Sequence, residues 1–229
     1  MVVSSNKYAS DIGLEILKNG GNAIDAAIAT GFALAVVHPG AGNIGGGGFM
    51  VIRLADGGVT TIDFRETAPA NAYRDMFLDD SLNVISGKSW STSWAAGVPG
   101  SVAGFGLAHE KYGSLQWGNL VYPASRLALK GFNLDFLNLR YMNSPYYNNY
   151  LSNDIETAKI FTKENGDMFE LGEKFIQQDL GLTLKRIARR GYREFYEGNT
   201  ADMIVDCMNR TEGLITKEDL KNYTAIERI

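Results

Sequence analysis

The feature that most constrains the fold is an apolar, alanine-rich stretch of 15 residues from Ala23 to Val37. A membrane-spanning helix needs about 20 such residues, and this stretch contains Asp25 and is followed by His38-Pro39. It is apolar on nearly every side of a helix, which is typical of a helix enclosed by other elements. The sequence therefore predicts a buried core helix that begins after the capping residue Asn22, and no membrane span in this chain.

The composition is that of an ordinary globular protein. Of the 229 residues, 45% are hydrophobic and 21% are charged, and we expect residues 1–229 to form a single domain. The formal net charge is −4. The one basic run, KRIARR at 185–190, follows the period of a solvent-exposed helix face. We therefore expect no nucleic-acid partner.

Cysteine and histidine are scarce. The single cysteine, Cys207, excludes an intrachain disulfide, and its apolar helical surroundings favour a buried structural thiol over a nucleophile. The two histidines, His38 and His109, have no obvious catalytic partner and are too few for a metal site. We expect neither a metal nor a cofactor.

Two β-rich runs flank a turn near the middle of the N-terminal half. The runs FMVIRL (49–54) and VTTIDFR (59–65) enclose Asp56-Gly57-Gly58, which predicts a β-hairpin. The period of two places the odd-numbered residues of 59–65 on one face and the even-numbered ones on the other. Arg65 should then emerge where the second strand ends, beside the glycine loop at 40–48.

The remaining sequence has mainly helical periodicity. A first helix is expected from Tyr8 to Lys18, ended by Gly20-Gly21, and a third strand is expected at 89–94. Further helices are expected at 98–113 after an initial loop, with a cap at Ser101 and a stop at Gly113, and near 119–130, 135–143, 148–158, 179–190 and 199–209. The capping-box pattern of Thr216 and Asp219 opens a last short helix.

The glycine loop GAGNIGGGG at 40–48 does not fit a phosphate-binding motif. A helix precedes it and a strand follows it, which reverses the order of a dinucleotide fingerprint, and the Gly-Lys-Ser/Thr ending of a P-loop is absent. Glycines before a strand instead allow close approach of another strand, a neighbouring chain or a ligand.

Arg65 is the strongest candidate for a functional side chain. It lies in DFRETAPA (63–70), at the end of an otherwise apolar hairpin, and its planar guanidinium matches a carboxylate with two parallel hydrogen bonds. Chemistry alone leaves two interpretations open. Arg65 either forms a structural salt bridge with Asp63 or Glu66, or binds a ligand.

Four segments spread over nearly the whole chain form an ordered series. They are NGGNAIDAAIATGFALAVVHPGAGNIGGGGFM (19–50), TIDFRETAPA (61–70), GVPGSVAG (97–104) with KYG (111–113), and LITKEDLKNY (214–223). In this order they resemble the signatures of the γ-glutamyltransferase family. The chain is thereby identified as a member of that family, from the N-terminal part of the large subunit.

The resemblance implies an α/β fold of the N-terminal-nucleophile hydrolase type. Such a fold is an α/β/β/α sandwich, here incomplete and mainly helical with a few antiparallel strands. It also implies that Arg65 binds the α-carboxylate of a γ-glutamyl substrate. Glu66 beside it is a second candidate, either to orient Arg65 or to contact the ligand, with a purely structural role as the alternative.

The activity implied by the resemblance is transfer of the γ-glutamyl group of glutathione-like compounds to water, amino acids or peptides. Glutaryl-cephalosporin and poly-γ-glutamate, on which relatives of this architecture act, remain alternative substrates. A catalytically inert binding or structural remnant remains a further alternative. The family resemblance implies a periplasmic or extracellular location, although residues 1–10 lack the features of a signal peptide.

The family's nucleophile is the N-terminal threonine of a small subunit that a precursor releases by cleaving itself. The family pattern continues beyond Ile229, so we expect this chain to be a fragment or a truncated gene product. It should contain no catalytic residue of its own and be inactive alone, because the small subunit is its necessary partner.

Overall fold

The structure is a computed structural model that describes residues 1–145, 151, 154–163 and 165–228. Within these residues the helices α1 to α10 are, in chain order, Lys7–Lys18, Ala23–Val37, Ser101–Tyr112, Trp117–Lys130, Phe136–Met142, Ile155–Phe161, Gln178–Arg190, Glu194–Glu197, Asn199–Arg210 and Lys217–Asn222. The strands β1 to β5 are Phe49–Arg53, Val59–Asp63, Phe132–Asn133, Lys174–Phe175 and Ile226–Arg228. The described chain is therefore mainly helical with a few antiparallel strands, as expected.

The chain divides into two compact units. The first consists of Met1–Asn43 and Ser114–Ala188, and the second of Ile44–Gly113 and Arg189–Ile229. Whether residues 1–229 form a single domain, as expected, depends on how the two units are joined. That expectation stays a prediction. None of the helices in the described part of the chain combines the length and apolarity that crossing a membrane requires.

Helix α2 forms the core of the first unit. Most of its side chains are buried, and it packs against α1 and α4. The ring of Phe32 meets the ring of Trp117 edge to face, with centroids 5.6 Å apart. The side chain of Asn22 accepts hydrogen bonds from the backbone N–H groups of Ile24 and Asp25. The predicted buried helix and its cap are both confirmed.

Asp25 joins the start of α2 to the loop that precedes α4. Its fully buried carboxylate accepts hydrogen bonds from the backbone N–H groups of Asn22, Ser114 and Leu115, and from the Ser114 hydroxyl. Burial alone would raise the pKa of Asp25, but these hydrogen bonds outweigh it and lower the pKa below its ordinary value. An ionised aspartate at this position thus stabilises the first unit.

The second unit contains a three-stranded antiparallel sheet in the order β1-β2-β5. The hairpin of β1 and β2 pairs Phe49 with Asp63 and Arg53 with Val59, and Gly57 in its turn has a φ of 93°. The predicted alternation of faces is confirmed, and the structure shows that the even-numbered residues of 60–64 are buried and the odd-numbered ones of 59–65 more exposed. Strand β5, which the sequence analysis did not predict, pairs with β2.

Phe64 continues this buried face directly after β2, where two glycines of the 97–104 segment meet it. A Cβ atom on Gly104 would lie 2.2 Å from the Phe64 ring, and one on Gly100 would lie 2.0 Å from the Phe64 carbonyl oxygen. Contacts this short do not occur in real structures. Helix α3 therefore packs on the sheet only because these two positions lack side chains.

Two predictions of local structure are wrong. Residues 89–94 form turns and the start of a 3-10 helix at Ser93–Ala95 instead of a strand. The hydroxyls of Ser91 and Thr92 donate to the carbonyls of Gly87 and Lys88, four residues earlier, which favours turns over an extended chain. The cap of α3 is Gly100, and Ser101 is its first residue, without a side-chain capping bond.

The other predicted helices agree with the structure within three residues at each end, apart from one. The helix expected at 148–158 falls partly on residues 148–150 and 152–153, which lie outside the described residues. The described helix nearest to it, α6, begins at Ile155 and ends at Phe161. The capping box of Thr216 and Asp219 at the start of α10 is confirmed.

Replacement of Asp25 by alanine should lower the free energy of unfolding by about 3 kcal/mol, because three backbone N–H groups lose a charged acceptor in a buried site. Urea denaturation of the complete protein, followed by tryptophan fluorescence, measures the change. Asp11→Ala, which breaks an exposed ion pair with Lys7, is the control and should cost less than about 1 kcal/mol. Equal effects of the two substitutions would contradict the assigned role of Asp25.

Candidate functional site

Arg65 lies just past the end of β2, as predicted. The strand pairing continues for one step, since the backbone N–H of Phe64 donates to the carbonyl of Gly48 at 3.0 Å and the reverse bond measures 3.3 Å. Beyond it the chain leaves the sheet beside the glycine loop. The Arg65 side chain is 61% exposed and lies on the more exposed face of the hairpin.

The structure decides between the two carboxylates proposed as partners of Arg65. Its guanidinium nitrogen Nη1 lies 3.4 Å from Glu66 Oε2, which is an ion pair. Asp63 instead accepts a hydrogen bond from the backbone N–H of Arg65 and pairs with Arg228, at 2.8 Å. The backbone bond from Arg65 and the Arg228 guanidinium lower the pKa of Asp63 below its ordinary value.

Glu66 is the more enclosed member of the pair. Its atom Oε2 is buried and accepts no hydrogen bond from the residues that the structure describes. A Cβ atom on Gly47 would lie 2.7 Å from this oxygen, so the glycine loop leaves the space that the carboxylate occupies. Glu66 thus places a negative charge beside one side of the Arg65 guanidinium.

The ion pair leaves most of the Arg65 guanidinium accessible. Ion pairs between exposed groups contribute about 0–1 kcal/mol, so the pair with Glu66 leaves the exposed side of the guanidinium able to bind a ligand carboxylate. Among the described residues, no hydrogen bond from the Arg65 guanidinium is found. The geometry is suited to binding a carboxylate from solution.

The glycine loop and the 97–104 segment meet beside Arg65. The carbonyl of Gly46 accepts hydrogen bonds from the backbone N–H groups of Gly100 and Ser101, at 2.7 and 2.9 Å. Thr67 and Val98 exchange two further backbone bonds. Three of the segments that resemble family signatures therefore converge on one site within the second unit. The glycine loop thus bonds to the backbone at the start of α3.

The end of the described chain also contributes to this site. The Tyr223 hydroxyl donates to the carbonyl of Arg65 at 2.7 Å, and the backbone N–H of Ala70 donates to Asp219 at 2.8 Å. The sequence pattern predicted a role for Asp219 only in a capping box, and no local pattern marked Tyr223. The signal for this contribution was the segment LITKEDLKNY, which resembles a family signature. The residues that it contacts, however, lie about 150 positions earlier in the chain.

The other candidates lie away from this site or differ from expectation. His38 ends α2, in the first unit, and its ring packs edge to face against Tyr141. Cys207 is only partly buried, which corrects the expectation of a buried thiol, because it lies on α9, where only Thr200 and Ala201 are buried. Within the described residues, no group of three or more histidine, cysteine, aspartate or glutamate side chains is arranged to hold a metal.

The exposed face of the sheet next to Arg65 carries four apolar side chains, here called the apolar sheet face, which alternate with Thr61, Asp63 and Arg228. Phe49, Val51, Val59 and Ile226 are each at least half exposed. By the strand register, Phe49 and Ile226 flank Asp63, and Val51 lies beside Thr61 on the same face. Exposed large apolar side chains grouped on one face are typical of a surface that another polypeptide covers.

Comparison with known proteins gives consistent matches. The family model described as gamma-glutamyltranspeptidase matches residues 9–228. The glutathione hydrolase proenzyme of Escherichia coli K12 is 48% identical over 228 residues, which are 100% of this chain and 39% of that protein. The chain thus spans about two fifths of the length of this relative.

Solved structures of γ-glutamyltranspeptidases are also similar to this chain. The γ-glutamyltranspeptidase of Helicobacter pylori has 43% identity and a TM-score of 0.96, over 100% of this chain and 65% of that one. The enzyme of Pseudomonas nitroreducens, solved with L-DON, has 40% identity and a TM-score of 0.91, over 99% and 65% of the two chains. This likeness confirms the expected fold class, part of an N-terminal-nucleophile hydrolase α/β fold.

Strand β5 depends on Glu227, whose carboxylate accepts hydrogen bonds from Lys111, Tyr112 and Thr60. These donors, Lys111 first, lower the pKa of Glu227 from 4.5 to about 2. The stabilisation is therefore fully present above pH 4.5 and is lost as the pH falls towards 2.

Glu227→Gln should consequently lower the midpoint of thermal unfolding at pH 7, and the gap to the wild type should narrow as the pH falls from 5 to 3. Differential scanning fluorimetry of the complete protein over this range measures the gap. Glu15→Gln, which changes an exposed pair with Lys18, should leave the pH profile unchanged. A gap independent of pH would rule out the proposed contribution of Glu227.

Proposed function

The chain belongs to the γ-glutamyltranspeptidase family, and on that premise we propose that it supplies the carboxylate-binding part of a γ-glutamyltransferase or glutathione hydrolase. The complete protein transfers the γ-glutamyl group of glutathione-like compounds to water, an amino acid or a peptide. The observation that carries this proposal is the exposed Arg65 guanidinium, held at a strand end beside Glu66 and accessible to a ligand.

The proposed reaction is acyl transfer through a threonine of the small subunit. Its hydroxyl attacks the γ-glutamyl amide carbon while its own α-amine takes the hydroxyl proton. The amide C–N bond breaks, the leaving amine takes up that proton, and an ester links the γ-glutamyl group to the enzyme. Water or an amine then attacks the ester and releases the threonine hydroxyl. We propose that this chain is inactive without the small subunit, which carries that nucleophile in the family.

Arg65 orients the substrate for this attack. Two parallel hydrogen bonds from its guanidinium to the α-carboxylate fix one end of the γ-glutamyl group, so the carbonyl at the other end reaches the nucleophile in a defined position.

Glu66 supports Arg65 by its ion pair. Glu66→Gln should therefore raise KM by a smaller factor than a change of Arg65; an equal or larger factor would indicate that Glu66 itself contacts the ligand.

The small subunit is the partner that we propose for the apolar sheet face. This face, with Phe49, Val51, Val59 and Ile226, lies on the same side of the hairpin as Arg65. A polypeptide that covers it would bring its own residues close to the substrate-binding arginine. The Escherichia coli relative is named a proenzyme, which supports a protein that is processed. An inert remnant would leave this face uncovered, which disfavours that alternative.

Arg65→Lys and Arg65→Ala should raise KM for γ-glutamyl-p-nitroanilide about tenfold to a hundredfold in the complete enzyme, because hydrogen bonds to a charged group contribute about 1.5–3 kcal/mol. Steady-state kinetics measure the change. The matched control is 4-aminobutyryl-p-nitroanilide, which has the same chain and amine but no α-carboxylate. Its kcat/KM should change little, and an equal loss on both substrates would remove Arg65 from the carboxylate site.

Processing and location can be tested together. We propose that the complete protein cleaves itself and acts in the periplasm or outside the cell, on the basis of family membership alone. Cell fractionation followed by an immunoblot against residues 1–229 should show a band shorter than the full-length protein in the periplasm or medium. A full-length cytoplasmic band as the sole product, in cells with measurable activity, would overturn both statements.

Parallel assays with glutathione, poly-γ-glutamate and a glutaryl-cephalosporin would identify the substrate class.

A further inference from the structure

The segment that contains Arg65 is held at three points by one stretch near the end of the described chain. Asp219 accepts a hydrogen bond from the backbone N–H of Ala70, Tyr223 donates to the carbonyl of Arg65, and Arg228 pairs with Asp63. All three contacts lie within the second unit. The position of Arg65 therefore depends on residues 219–228.

Of these contacts, the one from Tyr223 acts on Arg65 directly. The carbonyl of Arg65 accepts from Tyr223 at 2.7 Å, while its N–H donates to Asp63 at 3.1 Å. The two bonds fix the peptide groups on both sides of the Arg65 Cα atom. They set the direction in which the side chain leaves the backbone, whereas the guanidinium itself has, among the described residues, only the ion pair with Glu66.

Tyr223 is itself rigidly placed. It is 5% exposed, and its ring stacks on that of Tyr196 at an interplanar angle of 9°. The Tyr196 hydroxyl donates to the carbonyl of Pro99 and accepts from the backbone N–H of Ala103. A Cβ atom on Gly100 would lie 2.2 Å from the Tyr223 hydroxyl, so the absence of a side chain there admits the hydroxyl.

The Tyr223 hydroxyl stays protonated throughout the neutral range. Burial, with the nearby charges of Asp63 and Glu66, raises its pKa to about 12. It therefore remains a hydrogen-bond donor to the Arg65 carbonyl at any pH at which such an enzyme works.

We propose that Tyr223 is a positioning residue: through the Arg65 carbonyl it sets the guanidinium in the orientation that receives the substrate α-carboxylate. This inference rests on the proposed function, since it requires Arg65 to bind that carboxylate. Loss of the Tyr223 hydroxyl should weaken recognition of the carboxylate without altering the chemistry at the scissile bond.

The test is Tyr223→Phe in the complete, processed enzyme. The readout is the ratio of kcat/KM for γ-glutamyl-p-nitroanilide to that for 4-aminobutyryl-p-nitroanilide, measured on one sample so that the fraction of active enzyme cancels. Loss of one positioning hydrogen bond should lower this ratio about threefold to tenfold. The change should lie in KM for the γ-glutamyl substrate, with kcat within about twofold of the wild type.

Tyr112→Phe is the matched control. It removes a tyrosine hydroxyl that also bonds to the terminal stretch, but at the Glu227 carboxylate, whereas the Tyr223 hydroxyl bonds to the Arg65 carbonyl. It should lower thermal stability and leave the substrate ratio unchanged. In an Arg65→Ala background, Tyr223→Phe should have no further effect on the ratio, because the residue through which it acts is absent.

The outcomes separate the two proposals. A normal ratio for Tyr223→Phe together with a reduced ratio for Arg65→Lys overturns the positioning role and leaves the proposed function intact. A normal ratio for Arg65→Lys overturns both. If Tyr223→Phe yields no processed enzyme, Tyr223→His, whose ring nitrogen does not reach as far, replaces it. An unchanged ratio for that variant likewise overturns the positioning role.

Discussion

The second unit depends on how tightly Phe64 is enclosed. Its ring and its carbonyl oxygen occupy space that a side chain on Gly104 or Gly100 would fill. Because interiors are packed at nearly crystalline density, α3 has no freedom to retreat from the sheet without opening a cavity. The residues next to Phe64 are Asp63 and Arg65, so the packing of one aromatic residue fixes where the candidate side chain of Arg65 leaves the sheet.

Sequence patterns predicted those parts of the fold that are decided locally. The hairpin follows from its Asp-Gly turn and its period of two, the burial of α2 from its uniform apolarity, and the start of α10 from the spacing of Thr216 and Asp219. The strand expected at 89–94 failed because serine and threonine hydroxyls bind nearby carbonyls there. Strand β5 has three residues and forms through pairing with β2, far away in the chain, so no local pattern marks it.

The candidate site likewise divides into features that the local sequence predicts and features that depend on distant residues. Arg65 and Glu66 were found from the sequence because the FRETAP segment resembles a family signature and because a charged group at a strand end needs a partner. The sequence could not decide between Asp63 and Glu66 as that partner, because both are close to Arg65 in the sequence. The structure was needed for this choice. The contributions of Asp219 and Tyr223 were missed because each bonds to a residue about 150 positions earlier.

The three contacts from residues 219–228 have a consequence for the time at which the site is assembled. Arg65 and the Tyr223 that binds its carbonyl are 158 residues apart. At a synthesis rate of about 5–20 residues per second, Arg65 is made roughly 8–30 s before Tyr223. During this interval the hairpin can form, but the arginine lacks its final backbone contacts. The candidate site around Arg65 is therefore incomplete until the stretch at 219–228 has been made and has packed against it.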